Sequence, residues 1–288
     1  MKRFALISAL FALVMVIPAD GQDSRNAAIQ PDLAFFSIPG GTFRMGDEQG
    51  DLWKGCRPVH TVAISAFEMS VCEITNAQYC AYLNEALASD DIEIISGKVQ
   101  GKTGVWSGTR YLEIGYGSGW HRCWITYGSG VFSVISGYEN WPVVYVTWFG
   151  SKAFAQYYGL DLPTEAEWEY ACRGGLQNKY GTDDGTIDST KANYDSNIGH
   201  LVDAGSYPSN PYGIQDLSGN VWEWCNDWYE TYTSESVSDP TGAQSSLTRV
   251  IRGGSWPDRD GYCRSAARGH VNPFYGYNNV GFHVVRRP

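Results

Sequence analysis

The stretch Leu162-Pro163-Thr164-Glu165-Ala166-Glu167-Trp168-Glu169-Tyr170 decides how the rest of the chain is read. Thr164 and Glu167 have the spacing of a capping box, so a helix opens at Pro163-Thr164 and ends by Gly174-Gly175, about residues 164–173. Working outward, Thr75 and Gln78 repeat that signal. Tyr79, Tyr82, Leu83, Ala86 and Leu87 then fall on one face of a helix near 75–88. Another helix is expected from Thr147 to Tyr158, stopping at Gly159, a residue suited to a left-handed cap. Extended pieces lie around these. Phe35 to Gly46 reads as two short strands around Gly40-Gly41, and His60 to Ile64 as a further one. Beyond Gly175 come turns, glycines and isolated aromatics, and no internal repeat is evident. The expectation is α+β, with short helices, short strands and much irregular backbone.

The 288 residues carry a formal net charge of −10, with 43% hydrophobic and only 18% charged residues. That length suits one large domain or two small ones, with ample core either way. A chain with 33 Gly, 19 Tyr and 11 Trp has too many aromatics, and too few like charges, to stay disordered. Nucleic-acid binding needs clustered Lys and Arg. Here the pI is near 4.9, and no basic run exceeds a pair such as Arg286-Arg287. Nucleic acid is not an expected partner.

Lys2-Arg3, the apolar run from Phe4 to Ile17, and Ala19-Asp20-Gly21 have the layout of a secretory signal peptide over residues 1–21. The alternative is an uncleaved anchor, although the run is short for a membrane span. No cysteine follows it to carry a lipid, and no later stretch is long enough to cross a bilayer. Cleavage after Gly21 removes two positive charges and one negative, taking the net charge from −10 to −11. Residues 22–33 would remain as a polar leader. An exported protein, periplasmic or extracellular, is expected to pair some of its seven cysteines: Cys56, Cys72, Cys80, Cys123, Cys172, Cys225 and Cys263. The odd count leaves at least one thiol over. There is no Cys-x-x-Cys, and no Cys/His cluster has zinc spacing.

Irregular backbone needs partners for its buried carbonyls, and bound cations often supply them. The best candidate is Asp216-Leu217-Ser218-Gly219-Asn220-Val221-Trp222-Glu223-Trp224. Asp216 and Glu223 offer carboxylates, and a tight turn at Gly219 would aim carbonyls at the same point. All-oxygen ligation of that kind suits calcium rather than zinc or copper. A merely solvated acidic turn is the plainer reading.

Six segments occur in a fixed order: Gly40-Gly41-Thr42-Phe43-Arg44-Met45-Gly46, Glu73-Ile74-Thr75-Asn76, the 162–170 stretch, Gly219-Asn220-Val221-Trp222-Glu223-Trp224, Arg252-Gly253-Gly254-Ser255-Trp256 and Gly281-Phe282. Together they resemble the sulfatase-modifying factor family, whose founding activity is that of the formylglycine-generating enzyme. The resemblance covers residues 34–287. It implies a single compact domain with a variant C-type-lectin-like fold, and bound calcium. At one family site it implies ligation by the Asp216 and Glu223 side chains and the Gly219 and Val221 carbonyls. At the other it implies Asn193 and the Tyr194 carbonyl, with Asn197 and Gly199 as gapped matches in a shortened loop.

The family's enzyme holds copper(I) between two cysteines after the Arg-Gly-Gly-Ser motif and oxidises a sulfatase cysteine. Here the first of those cysteines falls on Asp258, and Cys263 follows Tyr262 as the second does. A carboxylate is a hard ligand and a poor substitute for thiolate at copper(I), so copper is not expected. Cys263 is a catalytic candidate only if unpaired. The resemblance offers it another role, since a family disulfide joins the match of Cys172 to a position on Ser265, two residues from Cys263. A Cys172–Cys263 disulfide is therefore expected. Another family disulfide is absent at both ends, Ala155 and Val284. Trp222 and Ser255 match residues lining the family's pocket, with Tyr262 and Arg268 beside it. Trp222 as core, and Arg268 as partner of a buried carboxylate, are the structural alternatives.

Residues 89–140 read as this chain's own β-rich insertion, with strands at Ile92–Ile95, Tyr111–Ile114, Trp124–Tyr127 and Val131–Val134. It is either a packed hairpin extension or a partner-binding face presenting Trp106, Trp120 and Trp124. The five histidines are scattered without iron-ligating spacing. Two functions stay open: an exported member that binds a protein, peptide or glycan partner without copper chemistry, and a formylglycine-generating oxidase with a divergent site.

Overall fold

The computed structural model describes residues 32–288, so the expected signal peptide lies outside the described residues. Three helices form where side chains cap them. Helix α1 spans Asn76–Ala88, with Thr75 and Gln78 bonding each other's backbone N–H. Helix α2 spans Trp148–Tyr157, with the Thr147 hydroxyl accepting from Gly150 N at 3.1 Å and Gly159 following at φ +70°. Helix α3 spans Glu165–Cys172, with Thr164 and Glu167 as reciprocal caps at 2.7 and 3.1 Å.

All of α3 is buried, its three glutamates included. A carboxylate left alone inside costs several kcal/mol. Each therefore meets an arginine from a distant segment, Glu165 with Arg268, Glu167 with Arg287 and Glu169 with Arg252, and Glu169 also pairs with Arg173 at the end of its own helix. Burial alone would raise Glu169, yet Arg173 and Arg252 more than offset it and hold its carboxyl low.

The strands gather into small sheets. Phe35–Ile38 pairs with Phe67–Ser70, which also takes Val285–Arg286. Gly41–Met45 pairs with His60–Ile64 instead. The two strands around Gly40-Gly41 thus form as read but join different sheets. Gly41 sits where a Cβ would be 2.4 Å from the Tyr170 hydroxyl, so only glycine lets α3 pack there. A four-stranded sheet runs Arg268–Val271, Arg249–Arg252, Trp222–Trp228, Val280–Gly281. Its register sets Glu223 opposite Arg252, and Arg252 opposite Arg268. Trp148, Trp168 and Trp224 are fully buried, and each indole N–H finds an acceptor: Cys225 O, Glu223 Oε2 and Val146 O respectively.

Within the insertion, Ile92–Ile95, Lys98–Gly101 and Arg110–Glu113 form one sheet, and Ile125–Gly128 with Val131–Val134 a hairpin. Strand Lys98–Gly101 was not anticipated. Two aromatics depart from their expected exposure. Trp124 is buried, stacked 3.7 Å from Tyr138, and Trp106 packs edge-on against Trp148. Trp120 alone of the three is half exposed, at 49%. Large rings in a turn-rich segment supply its core before they supply its surface.

Candidate functional site

The Asp216–Glu223 turn threads the interior. Asp216, Gly219 and Asn220 adopt φ of +62°, +92° and +53°. A Cβ on Gly219 would lie 2.3 Å from the Asn193 carbonyl, so glycine is required for this close approach. Asn220 N donates to that carbonyl at 2.8 Å. Asp216 Oδ2 accepts from Gly205 N at 2.5 Å. Glu223 Oε2 accepts from Trp168 Nε1 at 2.8 Å and faces His283 Nδ1 at 2.6 Å. The remaining oxygens, Asp216 Oδ1, Glu223 Oε1 and Asn193 Oδ1, are buried with no hydrogen-bond partner.

Glu73, which sequence reasoning passed over, belongs with them. It is 1% exposed, its Oε1 accepts from Asn220 Nδ2 at 3.1 Å, and its Oε2 is unpartnered. Burial, with Asp216 and Glu223 nearby, pushes its carboxyl well above the ordinary range, and burial pushes Asp216 up to about 6. Its signal lay in Glu73-Ile74-Thr75-Asn76, of which only the Thr75 cap was interpreted physically. Among the described residues no three His, Cys, Asp or Glu side chains converge tightly enough to hold a metal alone. A cation here therefore needs backbone carbonyls too. A donor set made of oxygens fits a hard ion such as calcium. The other expected ligands separate: Asn193 is buried against the Gly219 turn, whereas Asn197 and Gly199 are exposed. The Tyr194 carbonyl accepts from Asn197 N at 3.0 Å.

The second cluster surrounds Asp258. Its Oδ2 accepts from Trp222 Nε1 at 2.9 Å, Ser255 N at 3.1 Å and Ser255 Oγ at 2.5 Å. Ser255 Oγ in turn accepts from Asn279 Nδ2 at 2.9 Å. Trp222 and Ser255 are buried. Tyr262, 44% exposed, stands between Trp222 at 6.2 Å and Trp53 at 5.1 Å, making an aromatic ledge. Two clefts of about 650 and 470 Å³ are lined by other residues, Arg287 among them.

Two expectations for this cluster need correction. Arg268 does not line it: its guanidinium is spent on Glu165, the Gly55 and Glu230 carbonyls and the Tyr232 ring. The Cys172–Cys263 bond is not present, and all seven thiols are free. Cys172 Sγ donates to Ser265 Oγ at 3.2 Å, and Cys263 Sγ points toward Arg259 O at 3.8 Å. The hydroxyl at position 265, where the family has sulfur, satisfies the Cys172 thiol. Cys263 is buried, and burial together with Asp258 and Asp260 pushes its thiol far above the usual range.

Residues 22–288 match the family description "Sulfatase-modifying factor enzyme 1-like domain". The chain belongs to the sulfatase-modifying factor family. It is 35% identical over 278 residues to the formylglycine-generating enzyme of Streptomyces coelicolor, covering 85% of this chain and 86% of that one. It is 34% identical over 261 residues to the serine/threonine-protein kinase pkn1 of Chlamydia caviae, covering 86% of this chain but only 37% of the kinase. Among solved structures, PvdO from Pseudomonas aeruginosa matches 88% of this chain and 94% of its own, with a TM-score of 0.65 at 23% identity. The fold is accordingly the α+β, C-type-lectin-like fold of this family, with few helices and many short strands.

Proposed function

We propose that this is an exported, calcium-stabilised member of the sulfatase-modifying factor family that binds a peptide segment of a protein partner, of sulfatase type, without copper oxidation. The observation carrying this is Asp258. It stands where the family resemblance places the first copper thiolate, and its carboxylate already serves three hydrogen bonds. Copper(I) favours soft sulfur, and a carboxylate in place of one of the two thiolates leaves Cys263 as a single sulfur donor. The Trp53–Tyr262 ledge offers exposed rings to a peptide, or to a glycan, beside a buried polar floor. Calcium would be held by Asp216, Glu223, Glu73 and turn carbonyls, neutralising carboxylates that burial otherwise penalises.

An oxidase with a divergent site is the second reading, favoured by the unbonded state of Cys263. Titrating the protein with a sulfatase-type cysteine peptide, followed by tryptophan fluorescence, tests the first. Saturable binding is expected, weakened about fivefold to tenfold by Tyr262→Ala through lost ring contact and unchanged by Cys263→Ser. Equal binding by the Tyr262 variant would remove the ledge from the account. Tight copper(I) binding lost in Cys263→Ser would favour the oxidase.

A further inference from the structure

Loop 102–106 of the insertion closes over helices α1 and α2 and leaves an open cleft of about 240 Å³, far from the Asp258 cluster in sequence. Its lining includes Trp106 and Tyr157, the apolar Ile92, Val105 and Ala153, and the almost wholly buried Tyr82 and Tyr111. Tyr82 and Tyr111 are 2% and 4% exposed, so these rings are fixed by the core rather than loose on the surface. Tyr157 meets Tyr82 at 5.3 Å and 67°, and Trp106 is pinned by Nε1–H donating to Gln156 Oε1 at 3.1 Å. Asp91 stands at the rim. One of its oxygens accepts from Thr103 Oγ1 at 2.8 Å, which holds the loop in place. Among the described residues Asp91 has no Lys or Arg in ion-pair contact; nearby Lys102 is paired with Asp90. The Asp91 charge is felt by two of the rings, since it helps raise both Tyr82 and Tyr111.

Ring faces carry negative potential and attract cations, most strongly for Trp. The Trp106 indole, the Tyr157 phenol and a carboxylate without an ion-pair partner around one cleft therefore favour a positive head group with apolar substituents. The volume is below that of a drug-sized site, which limits the occupant to a side chain or a small amine. We infer that this cleft binds an alkylammonium group, such as a methylated lysine side chain or a choline-like head. Nothing in this depends on calcium or on the Asp258 cluster, so it stands apart from the proposed function.

The test uses the whole chain and two probes of the same shape, choline and its uncharged isostere 3,3-dimethylbutanol, followed by calorimetry and tryptophan fluorescence. Choline is expected to saturate the protein and the isostere to bind at least about tenfold more weakly, the mark of a cation–ring contact. Asp91→Asn keeps a partner for Thr103 and should weaken choline about tenfold without lowering the melting temperature. Tyr157→Leu, at a half-buried position, should weaken it as well. Equal affinity for the two probes, indifference to Asp91→Asn, or tighter binding of a neutral monosaccharide would each overturn the inference. So would absence of saturable choline binding by a protein with an unchanged melting temperature.

Discussion

The Asp258 carboxylate, accepting from Trp222 and twice from Ser255, is a strut, and cutting it leaves three donors without their acceptor. Asp258→Ala should cost about 1–3 kcal/mol, read as a lower denaturation midpoint. Asp227 makes a different prediction. Burial and the charge of Glu165 push its carboxyl up to about 8, against about 4 in an unfolded chain. The folded state then binds the extra proton between those values. This contribution to stability is present at low pH and is lost as pH rises through about 8. Asp227→Asn should raise the melting temperature at pH 8 and leave it nearly unchanged at pH 4. A variant equally destabilised at both would contradict that sign.

At the scale of elements, the turn carrying Asp216 and Glu223 is held by contacts that brace its backbone, and Asp216 Oδ1 and Glu223 Oε1 are the buried, unpartnered oxygens on which the calcium proposal rests. Chelation should therefore lower the melting temperature of calcium-loaded protein, the loss growing with calcium by mass action to about 2.7 kcal/mol at a hundredfold excess over Kd. Glu223→Gln and Glu73→Gln should each remove most of that response; a calorimetric scan with and without chelator decides it. The elements themselves were legible where the signal is local. Thr75, Thr147 and Thr164 cap helices because a hydroxyl three residues from an N–H needs no knowledge of the rest of the chain. Glu73 was not legible as a member of the Asp216 group. Its role rests on a meeting with Asn220, 147 residues away, which no spacing displays. The partner of Arg268 was equally hidden, and Trp124 was misjudged because turns around a ring do not show whether the ring folds inward.

For the whole molecule, the buried ion pairs of Glu165 with Arg268 and of Glu169 with Arg252 tie α3 to segments near the end of the chain. Breaking one member should cost about 3–5 kcal/mol, because it leaves an uncompensated buried charge. Arg252→Met should thus unfold the protein at markedly lower denaturant. Such a frame supports a rigid site, and its fold was expected from motif order rather than from composition. What the frame displays was less legible, since a lost thiolate can mean a lost reaction or a new one. Under the proposed function this site binds without oxidising, which mass spectrometry of a sulfatase-type cysteine peptide can decide. After incubation with the purified protein, copper(I) and oxygen, the account predicts an unmodified cysteine. Formylglycine in that peptide, formed by the native protein and absent with Cys263→Ser, would contradict it.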